Sequence, residues 1–240
     1  MGESRRPSQL ARVARERQYA PVVHGGRPVV GFDLDMTLID QRAGIASAMA
    51  SLESEIGAGI DVQWVIDNLG PPLEAVLSRW VPPDHVEGAA SRYRELFEAV
   101  GVATTRAMPG AVDAVEAVRT VGGKVIVVTA KYEPHAWAGL RAVDVAPDAV
   151  FGWRFGPAKA DALLAHRAEI YVGDHPADVL AARAGDALAV TVATGPASAE
   201  ELADAGADVV LRSLEDFPAW LDDYRRAAAR QAVGHRRSAW

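Results

Sequence analysis

Six short apolar runs recur along the chain, with helical patterns between most of them. They are Val29–Leu34 (VVGFDL), Lys124–Thr129 (KVIVVT), Ala149–Trp153 (AVFGW), Glu169–Gly173 (EIYVG), Leu188–Ala193 (LAVTVA) and Ala207–Leu211 (ADVVL). Short, nearly unbroken apolar runs suit strands buried on both faces of a parallel sheet. Val112, Val115 and Val118 share one face of an intervening helix. Leu163 and Leu164 sit in a second, and Val179, Leu180 and Arg183 in a third that ends at Gly185. Strand alternating with helix predicts an α/β fold: a doubly wound parallel sheet with helices on both faces.

One stretch interrupts the alternation. From Gln41 to Met108 the periodicity is helical and no strand is expected. Ile45, Met49, Leu52 and Ile56 form one stripe. Leu73, Val76, Leu77 and Trp80 form a second, after a start signal at Gly70-Pro71. Val86, Tyr93, Leu96, Phe97 and Val100 form a third. A connection this long needs a core of its own. The expected organisation is a basic arm over 1–27, a catalytic core from 28–40 and 109–224, an inserted all-α cap over 41–108, and a basic tail over 225–240.

Charge sharpens that division. The whole chain carries −7. Residues 1–27 hold six arginines against two acids, and residues 225–240 hold five arginines and no acid. The intervening body is therefore strongly acidic, which argues against a nucleic-acid surface. Neither arginine-rich end has interleaved aromatics, so both read as solvated ends, the first with a short helix around Gln9–Arg17. With no cysteine there is no disulfide, thiolate metal site or cysteine nucleophile. No apolar run reaches membrane-spanning length, and Arg5-Arg6 lacks the apolar segment of a twin-arginine signal. A cytoplasmic protein without a membrane partner is expected.

In open parallel sheets ligands bind at the carboxyl ends of the strands. The first run leads into Asp33-Leu34-Asp35-Met36-Thr37, the second into Thr129-Ala130-Lys131, and the fourth into Gly173-Asp174 with Asp178 four residues on; Lys159 follows the third. Crowded carboxylates repel unless a cation joins them, and oxygen-only donors favour Mg²⁺. A lysine, a threonine hydroxyl and loop N–H groups can hold phosphoryl oxygens. An Asp in such a place can act as nucleophile, and a second Asp can serve as acid and then base. The chain has three lysines, Lys124, Lys131 and Lys159, and two of them fall at this edge. His175 reads as an exposed histidine rather than a ligand.

These residues carry a resemblance. Phe32-Asp33-Leu34-Asp35-Met36-Thr37-Leu38 resembles the first motif of the haloacid dehalogenase superfamily, and Val127-Val128-Thr129 its second. Lys159 in Gly156-Pro157-Ala158-Lys159 resembles the third. Val172-Gly173-Asp174-His175-Pro176-Ala177-Asp178 resembles the fourth. The motifs stand in the family's order. The helical insertion lies where the phosphoglycolate-phosphatase-like branch has its cap, and Gly70-Pro71-Pro72-Leu73 is similar to a segment of that cap.

The resemblance implies a Rossmann-like core and a Mg²⁺-dependent phosphatase. Asp33 would form an aspartyl-phosphate, and Asp35 would act as acid and then base. Thr129, Ala130 and Lys159 would hold the phosphoryl group. Asp33, the Asp35 backbone carbonyl and Asp174 would bind the metal, with Asp178 orienting that shell. The implied partner is a small phosphorylated metabolite of phosphoglycolate, sugar-phosphate or nucleotide type. Met36 stands where the family often has glycine, so a side chain is expected near the leaving group and a positive φ is not. Sugar-phosphate mutases of the branch usually carry an arginine shortly after the cap glycine, where this chain reads Gly70-Pro71-Pro72-Leu73-Glu74. A mutase is thus the alternative enzyme, and a phospho-accepting or interaction protein the alternative outside catalysis.

Overall fold

The computed structural model describes residues 27–237, with side chains to residue 230. All six apolar runs form strands of one parallel sheet. They are β1 (Val29–Phe32), β4 (Lys124–Val128), β5 (Ala149–Phe151), β6 (Ile170–Gly173), β7 (Leu188–Val192) and β8 (Val209–Leu211). Their order is β5-β4-β1-β6-β7-β8. The chain therefore grows outward from β1 in one direction and later in the other, which opens a crevice at the end of β1. The register pairs Phe32 with Val127 on one side and Val172 on the other.

Side chains alternate between two apolar layers, as the pleat requires. Val125 and Val127 of β4 join Phe32, Val115, Leu140, Phe217 and Leu221 in the core under α5 (Ala111–Thr120), α6 (Glu133–Ala142) and α10 (Phe217–Arg237). Ile126 and Val128 face the opposite layer, with Tyr171 of β6 and with Leu163, Val179 and Ala182 from α7 (Ala160–His166) and α8 (Pro176–Ala184). The predicted helix faces are narrower than expected. Val112, Leu164 and Leu180 are about half exposed, while the small neighbours Ala111, Ala114, Ala162 and Ala181 turn inward. An alanine-rich helix can lie close to the sheet on its small residues, and that rotates the larger ones outward.

The inserted stretch folds as α1 (Arg42–Ile56), α2 (Val62–Asp67), α3 (Leu73–Leu77) and α4 (Pro83–Val100). Ile45, Met49, Leu52, Val65, Leu77, Ala90, Tyr93 and Phe97 share a core of their own. Ile56 and Val100, at the ends of their stripes, are exposed. The expectation of no strand is corrected at the boundary. Ile39–Asp40 (β2) pairs antiparallel with Arg106–Ala107 (β3), clamping the two chain crossings together. Two-residue strands are too short to show a period. At the far end α10 continues through residue 237, so the expected tail is helical over 225–237, and its last three residues lie outside the described ones. The expected arm over 1–26 lies outside the described residues.

Candidate active site

The carboxyl end of β1 positions the first two acids. The Asp33 N–H donates to the Val172 carbonyl at 2.8 Å, tying this position to β6. Beyond it the Leu38 and Ile39 N–H groups both return to the Leu34 carbonyl. This tight loop forces Met36 to φ 60, which overturns the expectation that a side chain here excludes positive φ. The strain costs about 1–2 kcal/mol. It is offset by hydrogen bonds from the Met36 N–H to the Ile39 carbonyl (2.8 Å) and from Thr194 Oγ1 to the Met36 carbonyl (2.6 Å). Burial of the Met36 side chain in the main core, with Leu34 and Leu38, adds to that. Met36 therefore packs inward instead of lining the pocket.

Four elements bring the remaining acids and Lys159 to the same end. A short 3₁₀ turn, Gly156–Lys159, follows β5 and aims Lys159 inward. Its Nζ donates to Asp33 Oδ1 (2.8 Å), Asp178 Oδ1 (2.7 Å) and Tyr171 Oη (2.8 Å), so all three donors are engaged. Tyr171 Oη in turn donates to the Val128 carbonyl. Thr37 Oγ1 donates to Asp174 Oδ1 at 2.8 Å. Asp178 Oδ2 accepts the His175 N–H, part of the capping box that starts α8. His175 Nδ1 accepts the Ala177 N–H, so His175 is a half-buried helix cap and not the exposed residue expected.

Asp33, Asp174 and Asp178 each offer an oxygen within 4.8 Å of the others. The backbone makes room for this. A Cβ at Gly195 would stand 1.8 Å from Asp174 Oδ2, and one at Gly173 would stand 2.3 Å from the Asp178 carboxylate. Burial, then the Asp178 and Asp35 charges, push Asp33 up to about 7 despite Lys159. Burial and the Asp33 and Asp178 charges push Asp174 well up too. Burial alone would lower the Lys159 pKa, but Asp178 and Asp33 hold it well above its ordinary value. Three buried carboxylates around one ammonium leave excess negative charge. Their oxygen-only chemistry fits a hard divalent cation.

Asp35 points elsewhere. Both its oxygens accept from Lys131 Nζ, at 3.2 and 3.1 Å, and that ammonium lies 4.8 Å from the centre of the Phe97 ring on α4. Asp33, Asp35, Thr129, Ala130 and Asp174 line one pocket, about 910 Å³ including its open mouth. Lys159 and Asp178 do not line it. They are buried against Asp33. The opposite wall comes from the inserted helices and is mostly apolar, with Ile45, Met49, Val65, Leu73, Val76 and Phe97. The sequence placed Lys131 at the phosphate edge without pairing it with Asp35, and assigned no role to Tyr171 or Thr37. A hydroxyl-tipped ring inside an otherwise apolar strand was the available signal for Tyr171.

Comparison with known proteins bears on the family and the fold. A family model described as haloacid dehalogenase-like hydrolase matches residues 30–147, and a second, of the same hydrolase kind, matches 155–217. A predicted phosphatase from Clostridium acetobutylicum superposes with a TM-score of 0.73 at 22% identity, covering 82% of this chain and 99% of its own. A predicted phosphoglycolate phosphatase from Haemophilus somnus gives 0.68 at 18% identity, covering 80% and 97%. At such identities the likeness concerns the fold. The tyrosine-protein kinase PtkA of Mycobacterium tuberculosis (strain ATCC 25618 / H37Rv) is 32% identical over 114 residues, 47% of this chain. The match spans 39% of that relative's length.

Proposed function

The chain belongs to the haloacid dehalogenase-like hydrolases, and on that footing we propose that it is a Mg²⁺-dependent phosphatase of small phosphomonoesters. The observation that carries the reading is the convergence of Asp33, Asp174 and Asp178 within 4.8 Å beside Lys159, next to a pocket that Asp33 and Asp174 line together with Asp35 and Thr129. Residues 28–40 with 109–224 act as the catalytic core, and residues 41–108 as a cap over the pocket.

Asp33, Asp174 and the Asp35 backbone carbonyl would hold the cation, with Asp178 behind them. When bound, it neutralises the carboxylates and the charge of the phosphoryl oxygens. Asp33 attacks phosphorus, forming an aspartyl-phosphate and breaking the ester bond. Asp35 gives the leaving oxygen its proton, then takes one from the water that hydrolyses the intermediate. Lys131 holds the Asp35 carboxylate in position for both transfers. The Thr129 hydroxyl and the Ala130 N–H bind phosphoryl oxygens, and Lys159, anchored by Asp178 and Tyr171, turns its third donor from Asp33 toward them. The apolar cap wall excludes bulk water around the reacting group.

The test is hydrolysis of 4-nitrophenyl phosphate with and without Mg²⁺, beside Asp33→Asn. Turnover needs Mg²⁺ and falls at least a thousandfold in the variant. Full activity in Asp33→Asn overturns the mechanism. The name of the mycobacterial relatives supplies the contrasting outcome: transfer of phosphate from ATP to a tyrosine peptide, with no free phosphate released, would replace hydrolysis by kinase chemistry.

A further inference from the structure

The cap wall of the pocket is mostly apolar. Its polar members are Tyr93, Arg94 and Glu74; an Arg94 terminal nitrogen pairs with Glu74, while Arg94 Nε and, on the other side of the pocket, His135 Nε2 have no hydrogen-bond partner. A polyhydroxylated leaving group would leave its hydroxyls facing Ile45, Met49, Val65, Leu73, Val76 and Phe97. A buried hydroxyl without a partner is costly, and the few polar groups here, Arg94 Nε and His135 Nε2 among them, are too few to pair every hydroxyl of a sugar, so this wall disfavours sugars.

Opposite the cap stands an aromatic pair. Trp153 and Tyr132 lie with ring centres 5.1 Å apart, and the Arg94 guanidinium sits 5.5 Å from the Tyr132 ring and 5.9 Å from that of Trp153. Trp153 remains 60% exposed, the most exposed large apolar side chain among the described residues. Its backbone has φ 53, a strained conformation for so bulky a residue. The loop is pinned there by hydrogen bonds from the Trp153 N–H to the Lys131 carbonyl (3.0 Å) and from the Arg154 N–H to the Thr129 carbonyl (2.8 Å). The same backbone that carries Thr129 and Lys131 thus fixes an unsheltered indole at the pocket rim. The core has no use for it there.

We infer that the pocket selects phosphomonoesters whose alcohol carries an aromatic ring, with Trp153 and Tyr132 stacking on that ring beside Arg94 and the apolar cap wall enclosing it. This rests on the phosphatase reading for the phosphate end and adds the class of leaving group. Flat rings stack on aromatic faces without needing hydrogen bonds, and an arginine beside them adds cation–π attraction.

The test separates the two readings by measuring binding apart from turnover. Calorimetry with Mg²⁺ present compares three non-hydrolysable phosphonates: 3-phenylpropylphosphonate, propylphosphonate and the methylene isostere of glucose 6-phosphate. The aromatic compound binds at least tenfold tighter than either of the others. Trp153→Gly brings its advantage over propylphosphonate below threefold, and Trp153→Phe retains most of it. Glycine tolerates φ 53, so the loss in Trp153→Gly is not a folding defect. Equal affinities, or tightest binding by the glucose isostere, overturn the inference. A gap that survives in Trp153→Gly overturns the stacking role. If the gap is present and 2-phenylethyl phosphate is not hydrolysed, the phosphatase reading fails while the aromatic site stands.

Discussion

Replacing Lys159 by Met keeps most of the buried volume and removes the one ammonium among Asp33, Asp174 and Asp178. Three hydrogen bonds of 2.7–2.8 Å go with it. Breaking a buried ion pair by removing one partner costs about 3–5 kcal/mol, because the other charge stays buried. That is the loss expected at pH 8 without metal. At pH 5 it shrinks to about 1–2 kcal/mol, because the carboxyls escape the cost by taking up protons. The sign follows from Asp33, whose folded pKa of about 7 lies above the ordinary value of 3.8. Between these values the folded state binds more protons than the unfolded one. Stability of the metal-free protein is therefore present at low pH and falls as pH rises through about 7. Saturating Mg²⁺ reverses the trend, since the cation competes with protons for the same oxygens. Adding Asp178→Asn to Lys159→Met removes one orphaned charge and recovers about half the loss at pH 8. Urea unfolding at pH 5, 6.5 and 8, with Mg²⁺ or with chelator, measures all of this. A loss below about 1 kcal/mol at pH 8, or one equal at pH 5 and pH 8, would refute the account of Lys159 as counter-ion to the cluster.

Three further outcomes are expected. Lys131→Met frees the Asp35 carboxylate and lowers kcat at least tenfold with little change in KM; a kcat within twofold of the parent removes Lys131 from the positioning role. His135 is lowered from 6.5 to about 4 by burial and by the Lys131 and Arg94 charges. The unfolded state alone takes up its proton in that window, so its share of stability is complete above pH 6.5 and is lost as pH falls toward about 4. Pocket solvent limits this share to about 1–2 kcal/mol; His135→Phe flattens the acid limb of the stability profile, and an unchanged limb assigns that slope to other groups. Arg167 caps α7 at φ 52 with an exposed side chain. Arg167→Gly relieves that strain and raises stability by about 0.5–1 kcal/mol, seen as a higher Tm; a lower Tm means that the arginine side chain contributes more than its backbone costs.

The parts of this molecule that sequence made legible are those fixed by short-range rules. An apolar run ending in Asp or Thr identifies both a central strand and the residue it presents, so Asp33, Thr129 and Asp174 could be placed at one edge before any coordinates. Asp178 followed from the turn of helix after Asp174. Residues whose role depends on a partner far along the chain were not legible. The ion pair of Lys131 with Asp35 spans 96 positions, and Phe97, from another core, lies under the same ammonium. Nothing near residue 131 marks which acid it will meet. Met36 failed for a different reason: propensity disfavours φ 60 for a side chain, and tertiary burial together with the Thr194 hydrogen bond outweighs that preference. Trp153 presents the opposite case. Its strain is matched by no burial, since the ring stands 60% exposed at the pocket rim. Strain that packing accounts for, as at Met36, needs only a structural reason. At Trp153 hydrogen bonds to the Lys131 and Thr129 carbonyls hold the strained backbone, and the indole they fix stays exposed on the pocket wall, where the proposed stacking on the leaving group's ring would cover it.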